Sequence, residues 1–178
     1  AAVFVVVYIS FMGYAGDRVT AWLHPELDPG DTGYQILQSL YAIGSGGLFG
    51  LGYGKSRQKY LYLPFQYNDY IFAVICEELG LVGAMAIVAL FAVTILRGYW
   101  IALNARDRFS TVLAAGLVTL IAVQTILNLC VVTNLLPSTG IALPFFSYGG
   151  TALAVNLGEM GIVLGVSRGR NRRKIQEA

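Results

Sequence analysis

The sequence predicts an all-α, polytopic helical membrane protein with about four spans, the first of them truncated, and a large extracytoplasmic loop. Three observations carry that prediction. Apolar residues fill 56% of the 178 positions and charged residues only 12%, about half the charge of an ordinary soluble domain. The segments Ile71 to Leu96, Ser110 to Leu136 and Gly150 to Val166 approach or exceed the ~20 mostly apolar residues that a spanning helix needs. Basic residues gather at the ends of these segments rather than within them.

The elements follow in order. Residues 1–14 are apolar but short, and they lack the basic flank and cleavage site of a signal peptide, so they read as a truncated span. Residues 15–70 form the long loop, where Pro25, Asp28, Pro29 and Gly30 make a turn cluster. Asp31 or Thr32 then caps a helix running to about Ile43. Leu37, Leu40, Tyr41 and Gly44 share one of its faces, which suits a helix lying on the membrane surface or on other spans.

Residues 71–98 are a span, 99–109 a connector, 110–136 a span, 137–149 an uncharged loop with two prolines and 150–167 a span. Such a loop can be re-entrant where it is buried in protein or lines a wet cavity. The tail 168–178 carries Arg168, Arg170, Arg172, Arg173 and Lys174. Lys and Arg beside spans favour the cytoplasm, which puts the tail and the connector with Arg106 and Arg108 inside, and the loops 15–70 and 137–149 outside. The net charge of +2 is too small to argue for a nucleic acid partner. Cys76 and Cys130 fall in apolar segments and act as small hydrophobes.

The glycine-rich run 44–56 ends in Gly54-Lys55-Ser56, like a P-loop. However, Phe49 stands where that motif needs glycine, and no strand precedes it. No nucleotide is expected. The run reads instead as backbone that lets a chain segment or a ligand approach closely. Lys55, Arg57 and Lys59 follow it, suited equally to a diphosphate or to solvent and lipid headgroups. Asp69 sits at the boundary between loop and span, either as a helix cap or as a carboxylate whose desolvation makes it a general base. Glu77, Glu78 and Glu159 lie in or beside spans, where an acid must face a partner or water. Gln124, Asn128 or Asn156 is the expected structural partner, with a proton relay as the alternative.

Several motifs occur together in one order: Gly33-Tyr34-Gln35, Ala42 to Gly50, Tyr62-Leu63-Pro64, Asn68 to Ala73, Glu77-Glu78-Leu79-Gly80, Pro137 to Gly140 and Leu143 to Gly150. In these the chain resembles the C-terminal portion of the shape, elongation, division and sporulation (SEDS) family represented by FtsW, RodA and SpoVE. Ser56-Arg57-Gln58-Lys59 makes it more similar to the division and sporulation branch.

The resemblance implies a peptidoglycan glycosyltransferase of about ten spans in the bacterial cytoplasmic membrane. It would polymerise lipid II, the lipid-linked disaccharide precursor, at the extracytoplasmic face during division or cell-wall growth. A class B penicillin-binding transpeptidase would be its partner, and membrane lipid would surround it. The segment alone need not be active. The family's aspartate motif falls on Asp69, which becomes the expected catalytic base. Lys55, Arg57, Lys59, Ser138 and Ser147 are the expected substrate-binding residues, with a divalent cation, Mg or Mn, as an optional helper whose ligands the sequence does not identify. Two departures reduce local acidity: Phe65 replaces the usual glutamate after Leu-Pro, and Gln66-Tyr67-Asn68 replaces the pair before the aspartate. A precursor flippase and a noncatalytic scaffold are the rival readings.

The charge pattern makes a topological prediction. In intact cells a membrane-impermeant thiol reagent should label Lys55→Cys and reach Arg172→Cys only after permeabilisation; the reverse pattern would invert the orientation of every segment.

Overall fold

The computed structural model describes residues 16, 18–27, 32–56 and 69–176, and among them every regular element is helical. The expected first span, and Arg57, Lys59 and Phe65, lie outside these residues. After helical residues 18–23 and a short 3-10 turn, Pro25–Leu27, come four α-helices: α1, Thr32–Gly46; α2, Ile71–Leu103; α3, Arg108–Val132; and α4, Gly150–Gln176. Three of them are long and apolar enough to cross a membrane: α2, α3 and α4 over Gly150–Gly169. The chain is therefore a multi-pass helical membrane protein.

Helix α1 starts where the sequence places it and runs three residues further, but it turns a different face inward. Gly33, Ile36, Ser39, Ala42 and Gly46 are buried, whereas Tyr41 and Gly44 of the expected face are exposed. Small side chains at that spacing let α1 approach α2 closely. Ser39 adds hydroxyl bonds to the Ile36 and Val132 carbonyls, at 2.8 and 3.3 Å.

Gly80 interrupts α2. At φ +67°, ψ −168° it divides the helix into residues 71–79 and a membrane-length piece, 81–103. A helix break frees backbone donors and acceptors on both sides, each costing several kcal/mol in hydrocarbon if left unpaired. The glycine-rich turn after α1 pairs them. Leu51 and Gly52 N–H donate to the Glu77 and Glu78 carbonyls at 2.9 and 3.0 Å, while Leu81 and Val82 N–H donate to Gly47 and Leu48 at 2.9 and 3.2 Å. The backbones meet so closely that a Cβ on Gly50 would lie 2.1 Å from the Glu78 oxygen.

Helix α3 opens with Asp107 as N-cap, its carboxylate accepting from the Ser110 N–H at 3.0 Å. Ala114, Val118, Ile121, Thr125, Asn128 and Val132 form its buried stripe, at the spacing of one helix face. Asn134 ends it at φ +57°, with Leu135 N–H returning to the Cys130 carbonyl at 2.8 Å and Asn134 N–H to Val131 at 3.0 Å. This is a Schellman cap with asparagine in the left-handed position.

The loop 137–149 folds back into the helical bundle, as a re-entrant loop would. Leu143 and Pro144 are buried, and the Phe146 ring packs on Phe91 with centroids 5.8 Å apart. Phe91 is about 16 Å along α2 from Gly80 at 1.5 Å per residue, so the loop dips near the middle of the 81–103 piece. Farther along, Val163 of α4 packs with Ala102, Ala114 and Val118. By the same rise, α4 begins about 20 Å back from that level, beside Phe91 rather than at the end of the bundle. It continues helically through Gln176, where the sequence reading ends the span at 167 and expects a separate tail.

Gly80→Ala should cost about 3 kcal/mol or more, because a Cβ would meet Gly50 N at 2.3 Å and Leu48 O at 2.6 Å on top of the positive-φ penalty. Gly54→Ala, at φ +75° but with open space around it, should cost only about 1 kcal/mol. Thermal melting in detergent would separate the two. Equal melting losses would deny the interlock.

Candidate functional site at the Asp69 end of the bundle

Four segments converge on Asp69. It precedes α2, and its backbone carbonyl accepts from Asn128 Nδ2 at 2.7 Å; the same amide donates to the Ile141 carbonyl at 2.8 Å. One fully buried side chain of α3 thus ties the start of α2 to the re-entrant loop. Residues 18–23 close a third side. Arg18 Nη1 donates to the Ser138 carbonyl at 2.6 Å and Trp22 Nε1 to the Asn134 carbonyl at 2.9 Å. These two side chains are one helical turn apart and share a face.

The Asp69 carboxylate is half-buried and is not a cap. Tyr70 is the N-cap residue of α2, and no side chain bonds the first helical amides. Among the described residues no hydrogen bond reaches the Asp69 carboxylate; its Oδ2 faces Gly140, where a Cβ would lie 3.7 Å away. Burial raises its pKa above the ordinary carboxylate value, and the positive charge of Arg18 opposes that rise. No direct ion pair joins the two. The Tyr70 hydroxyl is buried beside Ser138 without a hydrogen bond of good geometry, and burial raises its pKa as well. The site therefore holds an acceptor-rich carboxylate, a nearby cation and a phenol at the mouth of an apolar bundle.

Of the expected substrate-binding residues, Ser138 is here, its carbonyl holding Arg18 and its side chain against Tyr70. Ser147 lies deeper, where its hydroxyl accepts from Leu143 N–H at 2.7 Å and its own N–H donates to the Leu143 carbonyl at 3.1 Å. It closes the tip of the re-entrant loop. Lys55 is exposed beyond the glycine turn. That turn is bonded at Glu77 and Glu78, about 12 Å along α2 from Asp69. Among the described residues the cation acting on Asp69 is Arg18, a residue that the sequence does not distinguish from any basic flank. The amides of Leu51 and Gly52 are spent on α2, so in this turn the close approach is of chain to chain.

One of the three glutamates has a partner outside the expected set. Glu77 accepts from the buried Ser56 hydroxyl, while Asn128, its expected partner, serves Asp69 and Ile141. Gln124, Thr151 and Asn156 line a cavity of about 470 Å³ beneath Ile141 and Ala142 at the start of α4. Among the described residues no group of three His, Cys, Asp or Glu could hold a metal ion.

This architecture defines a polytopic helical membrane protein with a polar site at one end of its bundle. The chain belongs to the FtsW, RodA and SpoVE family, described as cell cycle proteins, whose profile matches residues 1–172. It is 50% identical over 155 residues to stage V sporulation protein E of Bacillus subtilis, covering 87% of this chain and 42% of that protein. It is 45% identical over 166 residues to the probable peptidoglycan glycosyltransferase FtsW of Trichlorobacter lovleyi, covering 93% and 44%. Among solved structures, a peptidoglycan synthase complex described as coordinating polymerization and crosslinking matches with TM-score 0.73 and 29% identity, over 96% of this chain and 46% of that one. The rod shape determining protein RodA of Thermus thermophilus matches with TM-score 0.59 and 32% identity, over 74% and 40%. The chain thus spans less than half the length of these relatives.

Asn128→Ala should lower stability by about 2 kcal/mol, because two part-buried carbonyls lose their donor. Melting of the purified protein reads this directly. An unchanged transition would mean that the Asn128 strap does not hold the site.

Proposed function

We propose that this chain is the C-terminal portion of a peptidoglycan glycosyltransferase that polymerises the lipid-linked disaccharide precursor at the extracytoplasmic face of the bacterial membrane, with Asp69 as general base. The observation that carries this reading is a half-buried carboxylate that, among the described residues, is consumed neither by a cap nor by a hydrogen bond, with Arg18 nearby. Both the family and the naming of its relatives as probable peptidoglycan glycosyltransferases support it.

In the reaction, Asp69 accepts the proton of the acceptor sugar hydroxyl as that oxygen bonds to the donor's anomeric carbon. The anomeric carbon–oxygen bond to the diphosphate breaks, the lipid diphosphate leaves with the electron pair, and configuration inverts. A raised pKa brings the base nearer to working pH while leaving it ionised enough to act. The leaving anion needs compensating charge, for which Lys55, Arg57 and Lys59 remain the proposed holders. Ser138 and Ser147 are proposed to face the sugar portion. No step runs through a protein-bound metal; a divalent cation would arrive with the diphosphate. The relative solved as a peptidoglycan synthase complex that coordinates polymerization and crosslinking supports a crosslinking partner, which the family resemblance makes a class B penicillin-binding transpeptidase.

A flippase needs polar groups through the whole membrane depth. Among the described residues, buried polar groups such as Glu77, Glu78, Asn128, Asn156 and Glu159 give way to the apolar packing of Ala102, Ala114, Val118 and Val163. That favours chemistry at one face.

Asp69→Asn keeps the shape but removes the base, so polymer formation should fall about 10²–10⁴-fold. The assay uses full-length protein containing this chain, its transpeptidase partner and lipid-linked disaccharide in liposomes. Because Asp69 is not a cap, the variant should melt like the wild type. Near-normal polymerisation by that variant would refute the base assignment.

A further inference from the structure

We infer that Arg18 is a positioning residue of the polymerisation site, a tethered cation that keeps Asp69 ionised as its surroundings lose water. The inference rests on the reading of Asp69 as the base. It begins with geometry. Arg18 and Trp22 fasten one helical face to the Ser138 and Asn134 carbonyls, 2.6 and 2.9 Å away. The guanidinium is thereby fixed on the same loop that presents Gly140 to the Asp69 carboxylate. Asn128 fixes Asp69 through its backbone carbonyl, without touching the carboxylate. Both charges are therefore held on one frame while the carboxylate oxygens stay open.

Among the described residues the charged neighbourhood is small. Residues 18–23 contribute Arg18, the start of α2 contributes Tyr70, and Asn128 and loop residues Ser138 and Gly140 contribute neutral groups. Tyr70 is neutral near neutral pH because burial holds its proton more firmly. Arg18 is thus the charge that counters desolvation of Asp69 from these elements. Substrate binding would expel more water and push the carboxylate further towards its protonated, inactive form. A guanidinium within electrostatic reach resists that change and stays charged at any working pH. A direct ion pair would hold the carboxylate more strongly, but it would occupy the lone pairs that must take the acceptor proton.

The sign is fixed. Arg18 lowers the Asp69 pKa, so its removal must move the acidic limb of the activity profile to higher pH. The test compares Arg18→Gln, Arg18→Lys and Asp69→Asn in the full-length protein with its transpeptidase partner, measuring polymer from lipid-linked disaccharide between about pH 5.5 and 8.5. Arg18→Gln should be most impaired in acid, its activity relative to wild type recovering about threefold or more towards the alkaline end. Arg18→Lys, which keeps the charge but loses the forked tether, should retain the wild-type limb with a lower plateau. If Arg18→Gln fails to fold, Arg18→Met, which preserves the alkyl stem, replaces it. A pH-independent loss in the neutral variant, or the same limb shift in Arg18→Lys, overturns the inference and leaves a structural tether. Asp69→Asn separates the two levels. If it is active, the base reading itself fails; if it is inactive and the neutral variant's loss is flat with pH, only the role of Arg18 fails.

Discussion

The arrangement depends on the break at Gly80 and the backbone bonds that repair it. A continuous helix satisfies its own amides; a broken one needs outside partners that water cannot supply within a bilayer. Here the partners come from a turn some thirty residues earlier, through four bonds between residues 47–52 and 77–82. That requirement fixes several things together. It places α1 against α2, accounts for glycine where the backbones meet, and brings Ser56 to the buried Glu77. It also frees the short helix 71–79 from the direction of the long span, so that Asp69 and Tyr70 are aimed by loop contacts rather than by the bilayer.

A second tie acts on that aim. Asn128 donates both of its described bonds to carbonyls, one before α2 and one in the re-entrant loop. Arg18 and Trp22 hold the same loop from the side. Each of these side chains bonds backbone, so the frame is rigid without consuming the carboxylate. The frame and the chemistry use different atoms of Asp69: the carbonyl is held and the carboxylate is open.

Much of this was legible in the sequence. The apolar runs marked α2, α3 and α4, the turn cluster and the Asp31 or Thr32 cap marked the start of α1, and the two prolines marked a loop that the structure folds into the bundle. The limits have physical causes. Gly80 stands in an apolar run where a lone glycine is usually tolerated within a helix, and only the partner turn reveals that it breaks one. The face of α1 was misread because Leu and Tyr look like the packing face, whereas the close approach favours the small side chains of Gly33, Ser39 and Ala42. Asp69 could be chosen over a capping role only with the family resemblance, and the geometry at Tyr70 then supplied an independent reason. Arg18 was invisible because its partner Ser138 is 120 positions away. No local pattern joins them.

The same separation explains how an apolar bundle can carry a polar site. Towards the other end, Ala102, Ala114, Val118 and Val163 close the packing with small apolar groups, so buried charge would find no counterpart there. At the Asp69 end, the re-entrant loop brings backbone carbonyls and glycine into the bundle, and these accept hydrogen bonds without adding charge. A lone carboxylate can then be partly desolvated, which raises its proton affinity, while Arg18 limits the rise from a distance. Full burial would favour the neutral acid, and full exposure would leave an ordinary weak base. The half-buried position between them is set by the height of the loop, and that height is set by Phe146 on Phe91 below and Asn128 under Ile141 above. The reactivity of the carboxylate is in this sense a property of the packing.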